Sequence, residues 1–236
     1  MNQKTRSGKS NPKIEGLLLR SSALSKNYEG PNGSLKILKG IDLEISDGEM
    51  VIILGRSGSG KSTLLHLLSG LDRPSGGKIF FRGEEISSFN DWRISEYRLR
   101  NVGFVFQFYY LLPELTLFEN VVLPNRIAGN PNEKRVKELL NRVGLSARAG
   151  HYPAQLSGGE QQRAAIARSL ANNPDVVFCD EPTGNLDEET ANSVFDLLVS
   201  LNREEKKTFV VVTHETSLMK KGRTAYELRE GILHHP

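Results

Sequence analysis

Eight residues between an apolar run and an amphipathic run have the composition and spacing of a phosphate-binding loop. They read Gly-Arg-Ser-Gly-Ser-Gly-Lys-Ser at 55–62, after the apolar run Met50 to Leu54 and ahead of the amphipathic run that ends at Leu68. Glycines at the end of a strand let the backbone curl, so that successive N–H groups and the positive end of the next helix point at one anion. The pattern therefore predicts a nucleoside triphosphate site.

The side chains of this loop have separate predicted tasks. Lys61 is expected to reach the β and γ phosphates, and the Ser62 hydroxyl is expected to ligate Mg²⁺. The predicted nucleotide-binding residues of this segment are Gly55, Arg56, Ser57, Gly58, Ser59, Gly60, Lys61, Ser62 and Thr63.

Two carboxylates follow a second apolar run. Val176 to Cys179 is expected to be a buried strand, and Asp180 and Glu181 come directly after it. Ligands of doubly wound sheets bind at the carboxyl ends of such strands, so Asp180 is predicted to hold Mg²⁺ and Glu181 to polarise the attacking water. The alternative is a solvated acidic turn, because Asp-Glu-Pro also suits the exit of a strand. The phosphate loop favours the catalytic interpretation.

A histidine follows a third apolar run. Phe209 to Val212 is expected to be another buried strand that delivers Thr213 and His214 to the same edge of the sheet. A histidine in that position can donate a hydrogen bond to a γ phosphate or to the attacking water. Of the five histidines, we predict a chemical role for His214 alone, and we expect His234 and His235 to lie in a terminal tail.

The segment Leu-Ser-Gly-Gly-Glu at 156–160 predicts a helix start. Ser157 and Glu160 have the spacing of a capping box. An ordinary helix start is the alternative, but two glycines are a poor choice for it, because each costs roughly 1 kcal/mol of helix propensity. Close approach of an anion to the backbone explains them better.

The elements that carry these motifs alternate between strands and helices. A turn-rich segment at residues 29–33 divides the first strands, and the helix after the loop ends near Gly70. The early strand candidates are Leu17 to Leu19, Leu35 to Leu38, Ile41 to Ile45, Lys78 to Phe81 and Phe104 to Phe106. From residue 116 to residue 171 the pattern is helical. Breaks are expected there at Pro124, Gly129-Asn130-Pro131 and Gly144.

The last third of the chain alternates again. Between the two later strands, Val194, Leu197, Leu198 and Leu201 mark one face of a helix. Strands, a helical block and then strand, helix and strand describe an α/β P-loop core with a β-rich N-terminal part and an inserted helical lobe. We expect one domain at residues 17–233, with the lobe at roughly 108–171.

Composition limits the function classes. No apolar stretch of the 236 residues approaches the roughly 18 needed to span a bilayer, so we expect a soluble protein that is not secreted by itself. The only cysteine, Cys179, lies in an apolar run, which excludes a disulfide framework and favours burial. The net charge of +3 arises within residues 1–16. We predict that these residues form a disordered basic tail, and the alternative is that they make weak contact with anionic lipid. The formally neutral remainder argues against nucleic-acid binding.

Together the motifs resemble those of the ATP-binding subunits of ABC transporters, over nearly everything from residue 17 to residue 233. A Walker A motif at 55–62, a signature at 156–160, a Walker B motif at 176–180 and the residues Glu181 and His214 carry the resemblance. It implies an Mg²⁺-dependent, ABC-type ATPase. It also implies a head-to-tail homodimer in the ATP-bound state, in which the signature of one copy closes over the ATP held by the other.

The resemblance assigns further roles that spacing does not. It implies that Tyr28 stacks on the adenine and that Gln107 senses Mg²⁺ and water, as a metal ligand and a catalytic residue. It also implies a D-loop at Gly184 to Asp187. The nucleotide contacts that it implies outside the Walker A motif are Tyr28, Ser157, Gly158, Gly159, Glu160 and Asp187.

Within the family, the chain resembles the branch of lipoprotein-release, MacB efflux and FtsE cell-division ATPases. Residues 181–187 indicate the branch, and residues 64–72 and 104–124 resemble its lipoprotein-release member most. The resemblance implies a peripheral protein on the cytoplasmic face of the bacterial inner membrane, with permease partners of the LolC and LolE type. Departures are small: Glu160 replaces the commoner glutamine, and Glu215 follows His214 where aspartate is usual.

Two other classes compete with this interpretation. Non-transport ABC ATPases of DNA repair or translation carry either two cassettes in one chain or one cassette split by a long coiled coil. Neither pattern is present in this sequence. A nucleotide-binding scaffold with little turnover is opposed by the joint presence of Glu181 and His214. For Phe108 to Leu115 we keep two interpretations open, a docking surface for a membrane subunit and packing of the helical lobe.

Overall fold

The computed structural model describes residues 16–30 and 33–235. Within these residues, a strand-rich N-terminal part is followed by a helical block and then by further strands around one long helix. The bounds of the strands and α-helices are β1 Leu17–Gly30, β2 Gly33–Ser46, β3 Met50–Leu54, α1 Lys61–Leu68, β4 Gly76–Phe81, β5 Glu84–Glu85, α2 Asp91–Asn101, β6 Val102–Val105, α3 Leu117–Ile127, α4 Glu133–Arg142, α5 Gly158–Ser169, β7 Val176–Asp180, α6 Glu188–Glu205, β8 Thr208–Thr213, β9 Thr224–Arg229 and β10 Ile232–His234.

The central sheet has six strands in the order β10-β9-β3-β8-β7-β6. All neighbours from β9 to β6 pair in parallel, and β10 pairs with β9 in antiparallel fashion. The carboxyl ends of β3, β7 and β8 therefore meet at one edge, where doubly wound sheets bind their ligands. This topology, with a glycine loop between β3 and α1, confirms the predicted α/β fold of the P-loop type.

Both faces of the central sheet are covered, which explains why β3 reads as an unbroken apolar run. Ile52 packs into a cluster that includes Val121 of α3 and Leu139 of α4. Val51 and Ile53 point the other way, into a cluster that contains residues of α1 and of the N-terminal sheet. Because β3 is buried on both faces, an apolar side chain is favourable at every position of the strand. The helical block thus shares a core with the sheet.

The N-terminal sheet, in the order β2-β1-β4-β5, is longer than the sequence predicts. The predicted short strands at 17–19, 35–38 and 41–45 are parts of two strands of 14 residues each. Register shifts, for example between Ser21 and Leu24, interrupt the alternation of apolar residues while the ladder continues. The two strands pair as far as Gly30 and Gly33, within the predicted turn segment at 29–33, and residues 31 and 32 lie outside the described part of the chain. So does the predicted tail, apart from residue 16.

The prediction of a break at Pro124 is wrong. Helix α3 runs through this residue. The Pro124 carbonyl accepts hydrogen bonds from the Ala128 N–H at 3.0 Å and from the Asn172 side chain at 3.1 Å. Packing and the remaining hydrogen bonds therefore compensate for the missing N–H. The breaks after α3 and α4 are confirmed, because Gly129 and Gly144 both have a φ of +71° just beyond the helix ends.

Four elements were not predicted from the sequence: α2, the two-residue strand β5, β9 and β10. Helix α2 buries only Tyr97 fully, so its apolar periodicity is weak. Strands β9 and β10 form the edge of the central sheet, and His234 pairs with Glu227 there. The prediction that His234 lies in a terminal tail is therefore wrong, because hydrogen bonding to β9 orders a segment whose own sequence is short and polar.

Candidate active site

The phosphate-binding loop connects the end of β3 to the start of α1. Gly60 has a φ of +100° and caps α1 without a side-chain hydrogen bond, so the first N–H groups of the helix have no such partner. A Cβ at Gly60 would lie 3.0 Å from Ile37 Cγ2, and a Cβ at Gly55 would lie 2.7 Å from the Leu228 carbonyl oxygen. Glycine is therefore required at both positions, by the positive φ at Gly60 and by close approach of other residues at both.

Lys61, the first residue of α1, is buried with its ammonium group directed into the loop. Its Nζ donates hydrogen bonds to the carbonyl oxygens of Gly55 at 2.8 Å and Arg56 at 3.3 Å. It also forms an ion pair with Glu181 Oε1 at 3.2 Å, although the two residues are far apart in the sequence. A buried cation needs such partners, and these three hold the ammonium group beside the glycine loop.

A hydroxyl and a carboxylate meet beside this lysine. Ser62 Oγ donates a hydrogen bond to Asp180 Oδ1 at 3.0 Å, which joins the start of α1 to the end of β7. Partial burial raises the pKa of Asp180, while the hydrogen bond from Ser62 opposes that shift. Two oxygen ligands of the kind that Mg²⁺ prefers thus lie next to each other.

Glu181 and His214 form a pair at the same edge. Glu181 has a left-handed backbone with a φ of +45°, which a non-glycine residue adopts only when its surroundings impose it. Its N–H donates to the Val212 carbonyl at 3.0 Å, and its Oε2 accepts from the His214 N–H at 3.2 Å. His214 Nδ1 lies 2.9 Å from the same oxygen. The Glu181 carboxylate is thus held between Lys61 and His214, with little freedom to turn away.

Gln107 is held by Asn185, for which the sequence predicted only a place in the D-loop. Its Nε2 donates to Asn185 Oδ1 at 3.1 Å, and Asn185 Nδ2 donates to the Gln107 carbonyl at 3.0 Å. Gly184 packs closely against this amide, because a Cβ at position 184 would lie 3.1 Å from Gln107 Nε2. The only sequence signal for this role of Asn185 is its place within residues 184–187.

These groups line one cavity of about 660 Å³, a volume suited to a nucleotide-sized ligand. The lining residues are Ile37, Arg56, Ser57, Gly58, Gly60, Lys61, Ser62, Thr63, Gln107, Asp180, Glu181 and His214. Apart from Ile37, all are residues that the sequence predicts for the site. Gly55 and Ser59 are neighbours within the loop, since a Cβ at Gly55 would lie 2.5 Å from Ser59 Oγ.

Tyr28 does not line the cavity. Its hydroxyl donates to Asp72 Oδ2 at 2.9 Å, and Lys26 Nζ lies 4.8 Å from its ring centroid. The residue is 42% exposed, so part of its side chain remains accessible to a ligand.

The predicted capping box at the start of α5 is confirmed. The Ser157 N–H donates to Glu160 Oε2 at 2.8 Å, and the Glu160 N–H donates to Ser157 Oγ at 3.2 Å. The bond from the Ser157 N–H is the main cause of the lowered pKa of Glu160. Asp187 caps α6 by accepting from the Thr190 N–H at 3.0 Å. None of residues 157–160 or Asp187 lines the cavity of its own chain.

In the segment after Gln107, some side chains are exposed, as a docking surface requires, and others pack against the protein. Phe108, Tyr110 and Leu112 are exposed, by 62%, 60% and 42%. Leu111 packs against the core of the helical block, and a Cβ at Gly158 would lie 2.9 Å from the hydroxyl of Tyr109. Tyr109 and Leu111 therefore pack against the protein, while the residues between and beside them form an exposed aromatic and apolar surface.

Hydrolysis of a phosphoanhydride by water is the chemistry that such a cavity can perform, since it combines anion-binding N–H groups, a buried lysine, two hard oxygen ligands and a held carboxylate. The class of protein is thus an α/β ATPase of the P-loop type. A sequence profile of the ABC transporter family matches residues 38–184. The chain therefore belongs to the ABC transporter family, and it binds and hydrolyses ATP.

Relatives within this family align over almost the whole chain. The Lipoprotein-releasing system ATP-binding protein LolD of Idiomarina loihiensis is 49% identical over 220 residues, which cover 92% of this chain and 96% of that protein. LolD of Hydrogenovibrio crunogenus is 48% identical over 221 residues, again 92% and 96% of the two chains. The chain is thus similar to LolD proteins in sequence and in extent.

Solved structures of the family are similar as well. A dimeric ATP-binding cassette in a post-hydrolysis state, bound to ADP and Pi, has a TM-score of 0.84 and 38% identity, with 92% of this chain and 96% of that chain covered. A dimeric bacterial ABC transporter cassette matches with the same values. In the part of the chain that the structure describes, no helix combines the length and apolarity needed to cross a bilayer.

Proposed function

We propose that this protein is the ATP-hydrolysing subunit of a transporter that releases lipoproteins from the bacterial inner membrane toward the outer membrane. The observation that carries the proposal is the 49% identity, over 92% of the chain, to a protein named for lipoprotein release. The cavity beside Lys61, with Glu181 and His214 in contact, supports the ATPase part of the proposal.

In this proposal the loop at 55–63 binds the ATP phosphates through its N–H groups and Lys61. The Ser62 hydroxyl and the Asp180 carboxylate would hold Mg²⁺, with Gln107 as a further oxygen ligand. Their chemistry fits the ion, because hydroxyl and carboxylate oxygens are hard donors, and two of them already lie 3.0 Å apart. When bound, Mg²⁺ would neutralise charge on the phosphates.

Glu181 is the proposed general base. A base must lie where it can orient a water molecule, and the contacts with Lys61 and the His214 N–H hold this carboxylate at the cavity. His214 would donate a hydrogen bond to the γ phosphate or to the water. Gln107, held by Asn185, would also orient the water.

Residues 157–160 and Asp187 would act in trans, in an ATP-bound homodimer. Their positions outside the cavity of their own chain support this arrangement. So does the similarity to dimeric cassettes, one of them bound to ADP and Pi. Each ATP would lie between the loop of one chain and the signature of the other, which links nucleotide binding to dimerisation.

The proposed partners are integral membrane permease subunits of the LolC and LolE type, on the cytoplasmic face of the inner membrane. Residues 17–233 would form the ATP-binding domain, and the lobe at 108–171 would face the permease. Phe108, Tyr110 and Leu112 are the proposed contact residues, because exposed aromatic and apolar side chains that adjoin each other favour an interface.

Depletion of the protein from its native cell tests the proposal. We expect outer-membrane lipoproteins to accumulate in the inner membrane, as measured by fractionation of the two membranes. Extraction in a mild detergent is expected to recover the protein together with permease subunits. Normal lipoprotein sorting, combined with failure of drug efflux or of septation, would replace this function with a MacB-type or FtsE-type role.

A further inference from the structure

Gln162 is a fully buried amide in the middle of α5, and the sequence reasoning assigned it no role. Its Nε2 donates to the Pro182 carbonyl at 2.6 Å and, over a longer distance of 3.4 Å, to the Phe106 carbonyl. Its Oε1 has no hydrogen-bond partner among the described residues. Burying an amide with an unpaired oxygen costs free energy, so the two contacts made by the nitrogen need an explanation.

The two carbonyls belong to residues that adjoin the hydrolytic groups. Phe106 directly precedes Gln107, and Pro182 directly follows Glu181. One side chain thus touches the backbone next to both groups that are proposed to orient the attacking water. A shift of this side chain would be transmitted through one peptide unit to either group.

A second contact of α5 lies on the other side of Gln107. The guanidinium group of Arg168 donates to the carbonyl oxygens of Tyr109 at 2.7 Å and Tyr110 at 2.5 Å. Both tyrosines have left-handed backbones, with φ values of +60° and +47°. Arg168 therefore stabilises a strained turn, and the segment around Gln107 is attached to α5 both before and after that residue.

We propose that Gln162 is a positioning residue for ATP hydrolysis, which ties α5 to the backbone beside Gln107 and Glu181. Because α5 begins at the signature, the position of the signature and the geometry of the water-orienting groups become linked through one rigid helix of 12 residues. The inference rests on the proposed roles of Gln107 and Glu181.

A purely structural amide is the competing explanation, and Asn125 provides a matched control. Asn125 is also buried, and its Nδ2 donates to the Ala171 carbonyl at 2.9 Å and to Asn172 Oδ1 at 2.7 Å. Its Oδ1, like Gln162 Oε1, has no partner within the described residues. Asn125 does not contribute to the lining of the cavity. Loss of either amide removes similar hydrogen bonds, but only Gln162 adjoins the hydrolytic groups.

The test compares steady-state ATP hydrolysis, ATP affinity and thermal unfolding for Gln162→Met, Gln162→Asn, Asn125→Leu and Glu181→Gln. Methionine keeps the size of Gln162 without its donors, and asparagine keeps the amide on a shorter side chain. For both Gln162 variants we expect kcat to fall on the order of ten- to a hundredfold, because a displacement of about 1 Å has effects of that size, while the ATP affinity changes less than twofold. Asn125→Leu is expected to lower the melting temperature and leave kcat per folded molecule unchanged.

The outcomes separate the inference from the proposed function. Wild-type turnover in Glu181→Gln would remove the proposed role of Glu181. If Glu181→Gln is inactive but both folded Gln162 variants keep kcat within twofold of wild type, the positioning role is wrong. An equal loss of kcat in Asn125→Leu, or a loss of ATP affinity that explains the change, would also overturn it. Should Gln162→Met fail to fold, the asparagine variant alone decides by the same criteria.

Discussion

Two helix starts in this protein carry glycines, and they satisfy their first N–H groups differently. The residue before α1 is Gly60, which has a left-handed conformation and gives the buried Lys61 end of the helix no side-chain cap. The residue before α5 is Ser157, and its side chain and that of Glu160 cap the first turn. The first start leaves its donors for a ligand, whereas the second satisfies part of them within its own chain.

The difference extends to the surroundings of each helix start. At α1 the side chains of Lys61, Glu181 and His214 converge on one cavity from three separate elements. At α5 the signature lies outside that cavity. One chain thus brings the proposed hydrolytic groups together at its own cavity, while the capped, glycine-containing start of α5 is proposed to complete the site of a second chain.

The largest expected effect is at the sheet edge, where Glu181→Gln removes the proposed base and keeps the shape of the side chain. We expect turnover to fall about 10²- to 10⁴-fold with ATP binding retained, and Lys61→Ala to lose ATP binding as well. Phosphate release and nucleotide titration measure the two quantities. Glu189→Gln, at an exposed position in the first turn of α6, is the control and should keep wild-type turnover. Near-normal turnover of Glu181→Gln would exclude the base role.

The next effect tests whether the two helix starts meet in trans. Ser157→Arg and Lys61→Ala chains are each expected to be inactive alone, since every composite site then contains one defect. In an equal mixture, random pairing gives half mixed dimers, each with one intact site of two, so turnover should recover to about a quarter of the wild-type rate. Sedimentation of Glu181→Gln with and without ATP checks the dimerisation itself. A mixture as inactive as its components would contradict an arrangement in trans.

A smaller effect is expected beyond the cavity, at the exposed surface after Gln107. Phe108→Glu should abolish stimulation of the ATPase by the permease while basal turnover and ATP affinity remain, because the side chain is 62% exposed. Leu111→Glu is the matched control: the same charge placed against the core should destabilise the fold by about 2 kcal/mol or more. Reconstituted turnover and thermal unfolding distinguish the two. Loss of ATP affinity in Phe108→Glu would argue against a docking surface.

The smallest expected effect concerns the adenine. Tyr28→Ala should weaken ATP binding about tenfold, since stacking of a base on an aromatic ring contributes roughly 1–3 kcal/mol. Tyr28→Phe keeps the ring and loses only the hydrogen bond to Asp72, so it should bind as wild type does. Calorimetric titration measures both. Equal affinity of the alanine variant and the wild type would remove the stacking role.

Much of the site could be predicted because its signals are local. The glycine pattern at 55–62, the capping box at Ser157 and the polar residues after two apolar strands each depend on neighbours in the sequence, and parallel strands bring their carboxyl ends together in any doubly wound sheet. Local patterns were therefore enough to predict the fold class, the position of the glycine loop and most of the residues that line the cavity.

The contacts between these groups, in contrast, depend on how the whole chain folds. The Lys61–Glu181 ion pair, the reciprocal bonds of Gln107 and Asn185, and the contacts of Gln162 join segments tens of residues apart, and no local pattern encodes such a partner. Packing against neighbours also explains why the first two strands continue beyond their apolar residues and why α3 continues beyond Pro124. Burial is a property of the assembled chain, which is why spacing predicted the elements but not their contacts.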